Sequence, residues 1–449
     1  MELAGKKVLV VGLGDSGLAA ARLCLQQGAL VTATDQSPSP PGAEELARQG
    51  ARLSLGGHRR EDFLQAELVV LSPGVDPRRP EVQAAEAAGA EVLGELELGF
   101  RFLQAPAVMI TGTNGKSTVT TLVGRMLAAS GLRTFVGGNL GTPLCSFILR
   151  GEEVDWAVLE VSSFQIDTAR ELRPRVGVIL NLAPDHLDRY PDFAAYAASK
   201  FRLLANQAGD DLAVLYDDDP EVRRRKGQAP ARVWTYGASG PRRPGGWLEG
   251  DHLVMQSPSG HELRLDTSAS PLPGLFNRLN LLAACLAALG AGADVWALQG
   301  TINLFRGLPH RLQLVASLEG VDWLDDSKGT NVGAVRAALA ALERPVVLLL
   351  GGRDKGDRFC DLAPELQSRV RLVICFGEAG PAIARQLQGL APIQVEPDLP
   401  AAVAAARAAA RPGEAVLLSP GCASFDAYQD YSQRGRHFQA LVRGEPWNA

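Results

Sequence analysis

The stretch Ala107-Val108-Met109-Ile110-Thr111-Gly112-Thr113-Asn114-Gly115-Lys116-Ser117-Thr118 decides the fold. Its first five residues read as a buried strand, two glycines frame a short turn, and a helix is expected from near Val119. Glycines between a strand and a helix let backbone amides converge on one small space, where a phosphate can rest at the helix N-terminus. Lys116 can reach the outer phosphates of a nucleotide, and the Ser117 hydroxyl suits Mg2+. The turn is shorter than the common phosphate loop, which would need a glycine at Ile110, but its mechanics survive the shortening. A bare turn needs neither an ammonium nor two hydroxyls at its end. The segment therefore predicts a nucleotide-binding α/β domain.

Outward from the loop, Leu159-Glu160-Val161-Ser162-Ser163-Phe164-Gln165 closes the strand Trp156–Leu159. A carboxylate at the carboxyl end of a strand in the same sheet is placed to face the loop and hold Mg2+. Asn181-Leu182-Ala183-Pro184-Asp185-His186-Leu187-Asp188 ends the next strand and sets His186 among acids, a further candidate ligand. Nearer the N-terminus, Gly12-Leu13-Gly14-Asp15-Ser16-Gly17 follows the strand Val8–Val11 and opens a helix, and Asp35 ends the following strand. This is a second place for a diphosphate. Lysine is another guide, because only seven of the 45 lysine and arginine residues are lysine. Four of them, Lys116, Lys200, Lys328 and Lys355, lie inside these and later motifs. A chain that uses arginine wherever any cation serves keeps lysine where a compact ammonium or a free amine is required.

At 449 residues the chain is too long for one core and suggests about three domains. With 46% hydrophobic and 21% charged residues it has the composition of a globular protein. The net charge of −5 offers no general attraction to nucleic acid or anionic membrane, so phosphate binding has to be local. Six scattered cysteines without close pairing argue against a disulfide framework or zinc site and for a reducing cytoplasm. The N-terminus lacks the pattern of a signal peptide, and no apolar run has the length of a membrane span. Short apolar runs alternate with helical patterns in three series, beginning at Val8, Ala107 and Val346. Between Gly237 and Pro273 the composition turns to Gly, Pro and Ser with brief alternating strands, as in a β-rich insertion. Leu279 to Leu289 reads as a buried helix. The expected architecture is α/β in three domains, with breaks near Gly94 and Gly307. These are a Rossmann-like domain at 1–94, a central phosphate-loop domain with the small insertion at 95–307, and a second Rossmann-like domain at 308–449.

The loop TGTNGKST, the stretches LEVSSFQ and NLAPDHLDRY with Lys200 shortly after, LPHR (Leu308–Arg311), DDSKGTN (Asp325–Asn331) and the closing LSPGCASFDAYQDYSQRG (Leu418–Gly435) together resemble the Mur ligases. These enzymes build the peptide of bacterial cell-wall precursors. The resemblance runs in order along the whole chain, and its last segment is similar to the D-glutamate-adding branch. It implies a cytoplasmic, monomeric enzyme that uses ATP and Mg2+, as two ions, to join D-glutamate to UDP-N-acetylmuramoyl-L-alanine. The implied steps are an acyl phosphate, attack by the amine, and collapse of a tetrahedral intermediate.

Carried onto this sequence, the resemblance implies that Lys116, Glu160, His186 and Lys200 are catalytic, and that Ser117, Glu160, His186 and Lys200 serve the metal. It implies an ATP site from Gly112, Thr113, Asn114, Gly115, Lys116, Ser117 and Thr118 with Asn277, Asn280, Arg311, Asp326 and Lys328. The UDP-substrate would meet Gly14, Asp15, Ser16, Gly17, Asp35, Gln36, Ser37, Ser72, Gly74, Asn139 and Ser162, and D-glutamate Lys355, Ser424, Phe425 and Tyr431. Because the implied ATP ligands come from two domains, the third domain would swing closed on the substrate. Lys200 would act as a carbamate formed with carbon dioxide. An ammonium beside a divalent cation is driven towards its neutral amine, and the carbamate supplies the oxygen ligand that such a cation prefers. Phe276 precedes Asn277 where the family often has His-Asn, and Gly329 and Gly421 replace expected alanines. Ligases that add L-alanine, a diamino acid, or glutamate to folate are the alternatives. Gly351-Gly352-Arg353-Asp354-Lys355, standing where diamino-acid ligases carry Asp-Asn-Pro-Arg, counts against the second. A nicotinamide dehydrogenase would leave the phosphate loop idle, and a nucleotide switch would not need a second diphosphate site.

Overall fold

The computed structural model describes residues 1–186, 189–354 and 356–447, and in it the three series become three sheets. In the first, β1 (Lys7–Val11), β2 (Leu30–Asp35), β3 (Arg52–Leu55), β4 (Leu68–Leu71) and β5 (Glu91–Gly94) are all parallel in the order β3-β2-β1-β4-β5. The period of two decides its packing. Val8 and Val10 join one apolar cluster, beneath the helix Asp15–Gln26, and Leu9 and Val11 join the other, with Val82 and Ala85 of the helix Pro80–Ala87. Both faces are covered, so Val8–Val11 of β1 and the whole of β4 are continuous apolar runs. The strand order reverses between β1 and β4, and a crevice opens outside their carboxyl ends.

The second sheet contains β6 (Ala107–Thr111), β7 (Thr134–Gly138), β8 (Trp156–Glu160), β9 (Val176–Ile179), β10 (Leu212–Tyr216), β11 (Arg232–Gly237), β12 (Gly245–Glu249), β13 (His252–Gln256) and β14 (Glu262–Asp266). Its order is β14-β13-β12-β11-β10-β9-β6-β8-β7. The segment expected to be β-rich between Gly237 and Pro273 supplies β12 to β14, which continue this sheet as its edge, β13 running antiparallel to both its neighbours. Because β6 lies between β8 and β9, the phosphate loop, Glu160 and Asn181 all emerge at neighbouring carboxyl ends. The helix Gly274–Gly290 buries an unbroken run from Leu281 to Ala288, as its composition predicted.

The third sheet orders β15 (Gln313–Leu318), β16 (Val321–Asp325), β17 (Val346–Gly351), β18 (Val370–Phe376), β19 (Ile393–Glu396) and β20 (Ala415–Gly421) as β15-β16-β20-β17-β18-β19. Only β15 is antiparallel. Leu348 and Leu350 face one apolar cluster and Val347 and Leu349 the other.

By contact density the chain forms two units: Met1–Leu182, Ala197–Asp266 and Leu281–Thr301, and then Ala183–Tyr196, Thr267–Asn280 and Ile302–Ala449. Within the first unit the helix Glu95–Phe100 links the first two sheets through buried acids. Glu95 Oε1 accepts from the Cys145 amide at 2.7 Å, and Glu97 accepts from the amides of Arg170 and Glu171 at 3.2 and 3.0 Å. Among the described residues no helix is long and apolar enough to cross a membrane.

Candidate active site

Gly112 and Gly115 shape the phosphate loop with φ of 149° and 88°. A Cβ on Gly112 would stand 2.7 Å from that of Leu180. The helix begins at Lys116, three residues before the expected start, because left-handed Gly115 turns the chain directly into it. Ser117 and Thr118 thus lie buried in the first turn. Asn181, at the end of β9, braces the loop. Its carbonyl accepts from the Thr113 amide at 2.7 Å, while its side-chain amide pairs both ways with the backbone of Asn114 at 3.0 Å. The sequence places Asn181 in a motif but does not reveal this bracing. Lys116 Nζ donates to the carbonyls of Gly112 and Thr113 at 2.9 and 2.8 Å.

Lys200 comes to the same place from the helix Phe193–Phe201 and is 2% exposed. Its Nζ also donates to the Gly112 carbonyl, at 2.9 Å. Two lysines recognised by their rarity therefore meet at one oxygen. Glu160 is buried at the end of β8, and Asn139 Nδ2 donates to its Oε1 at 2.8 Å. The Asn139 amide also donates to the Glu160 carbonyl at 2.9 Å, an approach that Gly138 permits: a Cβ there would be 2.5 Å from that oxygen. Asn139, expected to meet substrate, is here bonded to the carboxylate and carbonyl of Glu160. Ser162 caps the helix Ser163–Asp167 in a reciprocal box with Gln165. His186 belongs to the second unit, in left-handed backbone (φ 56°), with Nε2 3.7 Å from Asp185. Among the described residues no three His, Cys, Asp or Glu side chains gather as a metal cluster.

In the N-terminal crevice, Gly17 is obligatory: a Cβ would fall 1.7 Å from the Gly12 carbonyl. Asp35 accepts from the amides of Leu13 and Ser37 at 2.6 and 2.8 Å, and Ser72 Oγ donates to the Gly12 carbonyl at 2.7 Å. Both side chains hold the glycine loop in shape. Gly14, Asp15, Gln36, Ser37 and Gly74 are exposed around it, and Ser16 is half-buried.

In the third domain the loops after β16, β17 and β20 are neighbours. Asp326 is buried, accepts from Ser419 Oγ at 2.7 Å and the Leu312 amide at 3.2 Å, and is pushed up to about 7 by burial, against the pull of Ser419 and Arg311. Lys328 Nζ stands 3.8 Å over the Tyr431 ring, so a residue expected at ATP touches one expected at D-glutamate. Ser424 is buried and Phe425 exposed. Asn277 Nδ2 donates to the Pro273 carbonyl at 2.8 Å, beside exposed Phe276, and Asn280 and Arg311 are half-buried. Lys355 lies outside the described residues. Two groups that sequence reasoning passed over stand out. His310 Nδ1 pairs with buried Asp325 at 2.6 Å. Arg434, fully buried, is lowered to about 10 by that burial.

Glycine-rich loops at two switch points and a third set of strand-end loops define an α/β ligase architecture, and the chain belongs to the Mur ligase family. Models of the MurD-like N-terminal domain, the Mur ligase middle domain and the Mur ligase glutamate ligase domain match residues 6–94, 110–288 and 310–422. Proteins named UDP-N-acetylmuramoylalanine--D-glutamate ligase are similar along nearly the whole length. That of Desulfosudis oleivorans is 46% identical, over 99% of this chain and 97% of its own. That of Anaeromyxobacter dehalogenans is 46% identical over 98% of each. The structure of UDP-N-acetylmuramate-alanine ligase from Thermotoga maritima shares the fold, with a TM-score of 0.61 at 19% identity, covering 98% of this chain and 99% of that one.

Proposed function

We propose that this chain joins D-glutamate to UDP-N-acetylmuramoyl-L-alanine with ATP, forming ADP and phosphate, as a monomer acting in the cytoplasmic assembly of peptidoglycan precursor. The observation that carries the reading is the 46% identity, over almost the entire chain, to ligases of that name. The site chemistry agrees with it. Residues 1–94 would hold the UDP end at the glycine loop, 95–307 the ATP phosphates, and 308–449 the amino acid.

The residues at the phosphate loop fit a hard divalent cation: the Ser117 hydroxyl, in the first turn of the helix after the loop, and the Glu160 carboxylate, at the end of the neighbouring strand β8, are buried oxygen donors. Mg2+ held there would neutralise phosphate charge and favour transfer of the terminal phosphoryl group. Lys116 would turn from its loop carbonyls to the outer phosphates. A carboxylate is a poor electrophile, and its phosphorylation gives a carbonyl carbon with a good leaving group. The amine of D-glutamate then attacks that carbon, the C–N bond forms, and phosphate departs with the electrons of the broken C–O bond. Lys328, Tyr431 and Ser424 would place the incoming dicarboxylate, an ammonium and a hydroxyl being apt partners for it.

The carbamate at Lys200 belongs to this reading. The Nζ atoms of Lys116 and Lys200 each lie 2.9 Å from the Gly112 carbonyl, which brings the Lys200 amine to the loop where the cation would sit. The neutral amine is the form that captures carbon dioxide, and the resulting anion would face Lys116 as an opposite charge.

The test is product stoichiometry with each precursor nucleotide against a panel of amino acids. Turnover is expected only with ATP, Mg2+, UDP-N-acetylmuramoyl-L-alanine and D-glutamate together, releasing one ADP and one phosphate per amide. Release of AMP and pyrophosphate, or a preference for L-alanine or a diamino acid, would overturn the reading.

A further inference from the structure

Arg434 is wholly buried on the helix Tyr431–Arg443, and its hydrogen bonds among the described residues all end on neutral oxygens. Nε donates to Ser327 Oγ at 3.0 Å, and Nη2 to the carbonyls of Ser327 and Cys422 at 2.9 and 3.1 Å. Nη1 donates to the carbonyls of Ala423 and Gly351 at 3.2 and 3.4 Å. Ser327 Oγ in turn donates to the Tyr431 carbonyl at 2.8 Å. One planar fork thus ties together the loops that follow β16, β17 and β20. A buried cation without a carboxylate on it is costly, and five directed bonds to three loops are a role that no apolar side chain fills.

We propose that Arg434 is a positioning residue that holds these three strand-end loops in the geometry required for the third-domain substrates. The loop after β16 carries Asp326 and Lys328, and the loop after β20 carries Ser424 directly beyond Ala423. Lys328 and Tyr431 are therefore fixed from both sides, through Ser327 and through the helix that bears Arg434. The kinetic part of the inference rests on the proposed function, and the bracing itself does not.

Arg434→Lys keeps the charge and loses the fork, Arg434→Met loses both, and Ser327→Ala removes one bridge with little loss of packing. Hydrogen exchange on each full-length variant reads the bracing, independently of turnover. Faster exchange confined to residues 326–331, 351–354 and 421–424 supports it, and unchanged exchange there overturns it. If the lysine and methionine variants do not fold, Ser327→Ala alone decides by the same reading. Steady-state kinetics read the consequence. We expect KM for D-glutamate and ATP to rise by about tenfold or more, the scale of a lost directed hydrogen bond, with KM for the UDP-substrate unchanged. A merely structural role would lower kcat with the folded fraction and leave every KM alone, which would overturn the proposal. Wild-type enzyme that turns over no D-glutamate would sink the proposed function, leaving the bracing to be decided by exchange.

Discussion

Lys200 shows how much one residue can settle. Its Nζ shares the Gly112 carbonyl with Lys116 in a buried setting. If it works as a carbamate, arginine cannot replace it, because a guanidinium captures no carbon dioxide. Lys200→Arg should lose at least about a hundredfold in kcat with an unchanged melting curve, the scale of a removed electrostatic group in an active site. Lys200→Ala should recover part of its activity in acetate or formate, whose carboxylate can enter the vacated space. An arginine variant with near-normal turnover ends the carbamate idea. Lys200 could be singled out from sequence because lysine is scarce here. Asn181 could not, since an asparagine in a polar motif does not show that both halves of its amide are spent on Asn114.

At the scale of elements, the helix Glu95–Phe100 is the link that deserves a pH experiment. Glu95 is 1% exposed and pushed up to about 7, mainly by burial, although the amides of Cys145 and Leu144 pull it down. A carboxyl whose folded pKa lies above its unfolded value of 4.5 binds its proton more tightly when folded. Its contribution to stability is then full below pH 4.5 and is lost as pH rises through about 7. Glu95→Gln keeps the acceptor for Cys145 and removes the buried charge. It should melt higher than wild type at pH 8, by roughly 3 °C or more, with the advantage gone near pH 4. Equal melting at pH 8 would show that the carboxylate is comfortably solvated. The sequence places the helix start near Val119, but the left-handed Gly115 starts it at Lys116.

At the scale of the molecule, each sheet uses the same device, loops converging at the carboxyl ends of parallel strands near a reversal of order. The third sheet has apolar clusters on both faces drawn wholly from its own part of the chain. Residues 308–449 expressed alone should therefore unfold cooperatively, followed by circular dichroism, and should hydrolyse no ATP, because the phosphate loop is elsewhere. A fragment without a cooperative transition would move the proposed boundary. The sequence by itself determined the strands that carry the motifs, the three series, the phosphate loop and the family. Hydrophobic period, glycine turns and strand-end acids are local patterns, readable within a few residues. Only the tertiary structure decided what the polar groups hold: Lys200 and Gly112 lie 88 positions apart, and Arg434 and Ser327 lie 107 apart. It also showed that Asp35 and Ser72, expected at the UDP-substrate, bond to the glycine loop itself. A buried donor must find an acceptor wherever the fold brings one, and that partner leaves no mark in the neighbouring sequence.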